Sequence, residues 1–373
     1  MLIGVPKEIK KQEHRVGLVP SSVREFVEHG HKVIVETGAG AGIGFSDDIY
    51  KAAGAEIAGA ASDVFAKAEM IIKVKEPQAQ ECKMLRADQV LFTYLHLAAD
   101  KEQAKGLAQS GCVAIAYETV VGADGRSLPL LAPMSEIAGR LSVQVGAHYL
   151  QKHLGGLGRL MGGVPGVKPA SVVILGGGVS GFNAARMAVG MEAHVTILEK
   201  SPDRMRFLDD YFAGRATIIH STKDAIEEYA TNSDVIIGAV LIPGASAPQL
   251  ITKSMLSKMR AGSVMVDIAI DQGGCFETSH ATTHADPVYT VDNVIHYCVA
   301  NMPGAVPLTS ALALNQSVLP YALRLADKGW KQALLADKGF RLGLNVCNGA
   351  ITHREVAESL NMDYEANPKA LAA

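Results

Sequence analysis

The chain is poor in cysteine and in net charge, and it lacks a long apolar run. Its 373 residues include five cysteines, an odd number, at positions 82, 112, 275, 298 and 347. No two of them form a C-x-x-C pair, which argues against a disulfide framework and predicts free thiols in a reducing, cytoplasmic setting. The formal net charge is −3, with acids and bases interspersed and no basic block. Nucleic acid is therefore not an expected partner. The opening MLIGVPKEIKKQEHR is too short in apolar length and too charged for a signal peptide. The longest uncharged stretch, 297–323, contains three prolines along with Asn301, Asn315 and Gln316. It reads as a buried segment, not as a membrane span. Neither G-x-S-x-G nor H-E-x-x-H occurs. His280 and His284 have a spacing that suits a metal, but they lack a complete ligand set, so no metal is expected.

What the chain does have is alternation. Short Val/Ile-rich runs such as LIGV (2–5), KVIVE (32–36), MIIKVK (70–75), VLFTYLHL (90–97) and VAIAYE (113–118) are separated by helical patterns. One of these is SSVREFVEHG, where Val23, Phe26 and Val27 share a face and Gly30 stops the helix. The order strand–helix–strand predicts parallel sheets covered on both faces, an α/β fold. A long helix is expected to open at Ser135 as its N-cap, with Ile137, Leu141, Val145 and Tyr149 at four-residue spacing. It runs into the Gly/Pro-rich stretch GGLGRLMGGVPGVKP (155–169), after which a second strand–helix series starts. The length and this junction predict two domains. The first holds residues 1–130 and the second 131–303, and 304–373 forms a mainly helical return to the first. Pro320 is expected to kink or restart a helix in that return.

Two glycine-rich stretches compete as phosphate cradles. TGAGAGIGFSDD (37–48) follows a strand, but its glycines recur at every second position, and Ile43 stands where the third glycine of G-x-G-x-x-G is needed. It reads as a turn. In SVVILGGGVSGFNAARMA the fingerprint is complete as Gly176-x-Gly178-x-x-Gly181, with a strand before it, a helix after it and an acid, Glu199, about 20 residues on. Gly176, Gly178, Val179, Ser180 and Gly181 are thus candidate cofactor contacts, with pyrophosphate at the helix N-terminus. Glu199 suits a ribose diol and repels a 2′-phosphate, which favours NAD over NADP, and the nearby Lys200 and Arg204 soften that preference.

The candidate chemistry is more scattered. In SVMVDIAIDQGG, a two-residue period puts Asp267, Ala269 and Asp271 on one strand face, with Asp271 at the carboxyl end where open α/β sheets bind ligands. A capped loop acid is the plainer alternative for Asp271. Lys73 and Lys75 share a strand face and are read either as edge gatekeepers or as ligands. His96 lies at a strand end, before a helix capped by Asp100, and is structural or catalytic. Arg15 by itself is a loop arginine.

Taken together and in order, IGVPKEIKKQEHRVGLVP, KVKEP, TYLHLA, LAPMSEIAGR, VVILGGGVSGFNAARMA, VDIAIDQGGCFE and CVANMPGAVPLTS resemble the alanine dehydrogenase family across nearly the whole chain. That family is similar in fold to the NAD-binding subunit of proton-translocating transhydrogenase. The resemblance implies two doubly wound domains, a Rossmann NAD-binding domain inserted in a split flavodoxin-like or Rossmann-like substrate domain. It implies reversible NAD-dependent deamination of L-alanine to pyruvate and ammonia. By resemblance, Arg15 and Lys75 anchor the substrate carboxylate, His96 is the acid/base, and Asp271 orients water or ammonia. Ser135, Glu199 and Asn301 are likewise implied as cofactor contacts, with Asn301 also near the nicotinamide and substrate. Glu199 stands where relatives often carry Asp, and Arg204, close after it, is a further candidate contact. A homohexamer acting on small molecules is implied, without a membrane or nucleic-acid partner. The alternative is the NAD(H)-binding subunit of a transhydrogenase; lysine-pathway dehydrogenases of related fold are a third reading.

Overall fold

The computed structural model describes residues 1–240, 247–366 and 371. It divides into two compact units, one of residues 1–133 with 306–373, the other of residues 134–305. In chain order, the first unit contains β1 (Leu2–Val5), β2 (Lys32–Glu36), β3 (Glu56–Ala58), β4 (Met70–Ile72), β5 (Val90–Thr93) and β6 (Val113–Ala116). The second contains β7 (Ser171–Leu175), β8 (His194–Glu199), β9 (Thr217–His220), β10 (Val235–Gly238), β11 (Val264–Asp267), β12 (Val288–Val291) and β13 (Val294–Tyr297). The chain then returns to the first unit with β14 (Leu344–Cys347) and β15 (Ala350–Ile351).

The first sheet has the order β15-β14-β6-β5-β4-β1-β2-β3. Its six strands from β6 to β3 are all parallel, and β14 and β15 add an antiparallel edge. The second sheet has the order β12-β13-β11-β10-β7-β8-β9, parallel except for β12. Both are doubly wound α/β sheets in the Rossmann order, so the first unit takes that arrangement over the flavodoxin one. The strand sequences explain this. β5, β6, β10 and β11 are buried at every position, as parallel strands covered by helices on both faces must be. Each fully buried Val, Ile or Leu contributes roughly 1.5–3 kcal/mol. Val346 of β14 shares a core cluster with Ile71, Leu91 and Ala114, which gives the returning segment its attachment.

Several expectations change. The return is mainly helical and also carries β14 and β15, strands of four and two residues that are too short to show a period in the sequence. Pro320 lies inside the helix Pro307–Lys328 without ending it. The long helix spans Ala132–Tyr149, so Ser135 stands within its first turn and is not its N-cap. Pro133 explains the earlier start, since a proline's missing N–H costs nothing in a first helical turn. Val27 is 38% exposed and leaves the apolar face to Val23 and Phe26. The strand carrying Asp267 stops there, and Asp271 lies in a separate 3₁₀ turn, Ile270–Gln272, exposed; the buried acid of the pair is Asp267.

The turn at 37–48 is tightly packed. A Cβ on Gly40 would lie 2.6 Å from the Tyr50 ring, and one on Gly42 would lie 2.9 Å from His14. Asp47 accepts the Gly38 amide at 2.8 Å and the Thr37 hydroxyl at 2.6 Å, which closes the turn on itself.

Lys73 is no edge gatekeeper. β4 lies between β1 and β5, and Lys73, just past its end, is fully buried. Its ammonium donates to Glu81 at 2.7 Å and to Glu8 at 3.1 Å. Burial pushes the Glu8 carboxyl up, with the Lys73 charge opposing. Removing the cation leaves two buried carboxylates, so Lys73→Met is expected to cost about 3–5 kcal/mol in urea unfolding.

Candidate active site

In the first unit the candidate side chains follow successive strands. Arg15 comes after β1, Lys75 after β4 and His96 after β5, all at carboxyl ends, and β1 and β4 flank the point where strand order reverses. That edge is where open α/β sheets bind ligands. Arg15 is only 2% exposed, and Glu13 grips it through Nε at 2.7 Å and Nη2 at 2.6 Å. Despite burial, which opposes ionisation, this pairing holds the Glu13 carboxyl at about 2. Half-buried Lys75 titrates below an ordinary lysine, first because of burial and then because of the Arg15 charge beside it. Arg15, Glu13 and Lys75 together carry one net positive charge, which matches a monocarboxylate.

Glu8 holds the main chain at Lys75: its Oε1 accepts the amides of Val74 at 2.7 Å and Lys75 at 3.3 Å. The exposed His96 ring lies parallel to that of Tyr94, with centroids 5.7 Å apart, and Tyr94 is fixed by its hydroxyl donating to the Leu130 carbonyl at 2.5 Å. The His96 backbone is left-handed, at φ +50° and ψ +36°, a conformation costing a non-glycine residue roughly 1–2 kcal/mol. Asp100 caps the following helix by accepting the Gln103 amide. Glu8 and Glu118, which contacts the His96 main chain, do not show in the sequence because their partners are distant in the chain, whereas Tyr94 stands two residues before His96. A groove of about 890 Å³ in this unit, lined by residues such as Gln78, Cys82 and Gln109, includes none of the three candidate side chains.

The second unit holds the glycine loop. Gly176 has φ +92° and leads from β7 into the helix Val179–Gly190. A Cβ on Gly181 would fall 1.8 Å from the Gly176 carbonyl oxygen, so only glycine lets helix and loop pack there. Gly178 is the N-cap without any side-chain cap, and a Cβ there meets nothing within 4 Å. The first turn, with half-exposed Val179 and Ser180, is thus open to a phosphate group. Glu199, at the end of β8, accepts from Gly177 N at 2.7 Å, Lys200 N at 2.8 Å and Ser201 N at 2.9 Å. Three of about four carboxylate acceptor positions are used, leaving one for a ligand hydroxyl. Arg204 does not pair with Glu199. Its Nε donates to the Gly177 carbonyl at 2.6 Å, and its guanidinium lies 4.4 Å over the Phe207 ring.

Asp271 follows β11 and Asn301 follows β13, again at carboxyl ends. Asp267 organises the loop that holds Asp271, accepting from Ala269 N at 3.1 Å, Cys275 N at 2.8 Å and Ser279 Oγ at 2.5 Å, and burial raises its carboxyl to about 6. The Asn301 carbonyl faces His284 Nε2 at 2.9 Å, while the His280 ring stacks on Tyr289. Among the described residues, no group of three His, Cys, Asp or Glu side chains is placed to hold a metal.

The family described as "Alanine dehydrogenase/PNT, N-terminal domain" matches residues 4–138, and "Alanine dehydrogenase/PNT, C-terminal domain" matches residues 142–354. The chain belongs to the alanine dehydrogenase/PNT family. This family member is 58% identical over 364 residues to an alanine dehydrogenase of Halomonas elongata, spanning 98% of each chain. A solved L-alanine dehydrogenase superposes with a TM-score of 0.93 at 52% identity, over 97% of this chain and 99% of the other. A transhydrogenase structure from Sinorhizobium meliloti is similar at a TM-score of 0.81 and 26% identity, over 95% and 99%.

The contact at Gly181 leaves no room for a methyl group. Gly181→Ala is expected to weaken NADH affinity at least about tenfold in a fluorescence titration, since the displaced helix start no longer presents its amides to phosphate.

Proposed function

We propose that this family member is an NAD-dependent alanine dehydrogenase, interconverting L-alanine, NAD⁺ and water with pyruvate, ammonium, NADH and a proton. One observation carries this reading: a buried arginine, a half-buried lysine and an exposed histidine follow adjacent central strands, in a chain 58% identical to a named alanine dehydrogenase. The transhydrogenase-subunit alternative is weaker, with 26% identity to its representative. Among the described residues no helix is long and apolar enough to cross a membrane.

The second unit is read as the NAD-binding domain and the first as the substrate domain, with 304–373 as its returning part. The open first turn at Gly178–Ser180 fits a pyrophosphate, and the remaining acceptor position of Glu199 fits a ribose hydroxyl. Gly176 and Gly181 shape that loop, Arg204 braces it, and Ser135 and Asn301 complete the cofactor contacts. When bound, NAD supplies the hydride acceptor. The chain's own groups do the rest. Arg15, held in place by Glu13, contributes its fixed guanidinium charge to anchoring the substrate carboxylate, and Lys75 adds a point charge. His96 moves protons as water adds to the oxidised carbon and the amine leaves, work suited to an imidazole near neutral pH. Asp271 orients the water or ammonia and balances charge. The family resemblance supports a cytoplasmic homohexamer.

NADH oxidation with pyruvate is expected to require ammonium, and turnover without ammonium would point to a hydroxy acid dehydrogenase. A protein that binds NADH yet never turns over this pair would favour the transhydrogenase reading. His96→Ala and Asp271→Ala are expected to lose kcat by about 10²–10⁴-fold with NADH affinity kept, and near-normal turnover removes that residue from the mechanism.

Lys75 supplies a pH dependence with a definite sign. Its lowered value means the ammonium loses its charge earlier than an ordinary lysine as pH rises. Only the charged form attracts a carboxylate, so pyruvate affinity for the NADH complex is expected to fall on the alkaline side. In fluorescence titrations without ammonium, Lys75→Arg should move that fall to higher pH, because guanidinium stays charged.

A further inference from the structure

We propose that Glu118 is a positioning residue that sets the orientation of His96 through the main chain; this rests on the acid/base reading of His96. Glu118 lies in the 3₁₀ turn Tyr117–Thr119, directly after β6, next to β5 in the sheet. Its carboxylate accepts two consecutive amides of the segment that follows β5. The His96 N–H donates to Oε1 at 2.6 Å, and the Leu95 N–H reaches Oε1 at 3.1 Å and Oε2 at 3.2 Å.

The geometry explains why an anion is needed there. The successive N–H groups of Leu95 and His96 meet on one carboxylate, and His96, which carries the second of them, is itself left-handed. A histidine gains little by itself from that conformation, so something outside it must hold it. Other contacts fix the neighbours: Gln103 Nε2 donates to the Leu95 carbonyl at 3.0 Å, and the Ala99 amide donates to the His96 carbonyl at 3.3 Å. Neither touches the amide of His96, which Glu118 holds. With the main chain fixed at this angle, the His96 ring leaves the backbone parallel to the Tyr94 ring, itself tied to Leu130. Glu118 thus acts on β5's terminal loop from the neighbouring strand, without itself being needed for proton transfer.

The test compares Glu118→Gln, Glu118→Asp and His96→Ala with the parent enzyme in the ammonium-dependent assay. Each is also read by NADH titration and by hydrogen exchange of the peptide covering residues 93–98. Glu118→Gln keeps an acceptor oxygen but loses the charge and one acceptor. Its kcat is expected to fall about tenfold or more, as positional catalysis is steep in geometry, with pyruvate KM and NADH affinity within about twofold. Exchange should quicken in 93–98 and stay unchanged elsewhere in the first unit. Glu118→Asp is too short to reach both amides and should lose kcat to an intermediate degree. Parent-like kcat in the Gln variant overturns the proposal, as does a loss of kcat matched by equal weakening of NADH binding or by faster exchange throughout the unit. Should the Gln variant fail to fold, the Asp variant decides by the same readouts, and a parent-like kcat in it overturns the proposal. His96→Ala separates the two ideas. If it keeps turnover, the acid/base reading fails; if it loses turnover while Glu118→Gln keeps it, only the role of Glu118 falls.

Discussion

A lysine ammonium with no access to water, held between two carboxylates, is the constraint on which the first unit's site depends. Lys73 ties together three segments that would otherwise be independent loops: Glu8 after β1, the end of β4, and Glu81 of the short helix Ala79–Cys82. The same Glu8 carboxylate holds the amides of Val74 and Lys75. The position of the Lys75 side chain therefore follows from a buried charge balance two residues away. Buried ion groups are weak sources of net stability, but they are intolerant of a missing member and so fix one arrangement. That intolerance suits a place where two loops must meet in register.

Charge is managed locally in the same way around Arg15. An arginine 2% exposed would be costly alone, and Glu13 neutralises it at bonding distance from within the same loop. What remains is the charge of Lys75, softened by its neighbour. The guanidinium is thus fixed by Glu13, while the Lys75 ammonium is left less compensated. In the second unit backbone amides replace side-chain cations: Glu199 is set by three of them, and the uncapped helix start at Gly178 offers more.

Much of this was legible in the chain, for physical reasons that can be named. The parallel sheets announce themselves because strands buried on both faces become continuous Val/Ile runs. The 176–181 loop does so because its glycine spacing falls between a strand and a helix, with Gly176 at positive φ and Gly181 without room for a Cβ. The stretch at 37–48 fails the fingerprint on spacing, and the structure shows it as a turn that Asp47 ties to Thr37 and Gly38. What sequence could not show was pairing across distance. Nothing near Lys73 advertises Glu8, 65 residues earlier. Nor does a two-residue period reveal that the strand stops at Asp267, which turns inward to hold its own loop while Asp271 faces outward. Sequence also does not show that the Arg204 guanidinium braces the Gly177 carbonyl and lies over two rings, while still feeling the Glu199 charge.

The antiparallel attachment of β14 to β6 has a consequence for how the chain is made. The partner of Val113 and Ala114 is supplied by residues 346–347, more than two hundred positions later. A ribosome delivers the whole of residues 134–305 before that partner exists, so the inserted unit has every one of its own strands available first. Until then, β6 presents an open, apolar sheet edge, the kind of surface on which nascent chains pair wrongly. The enclosing unit is therefore the last to close, and the time during which it is vulnerable is set by the length of the domain placed inside it.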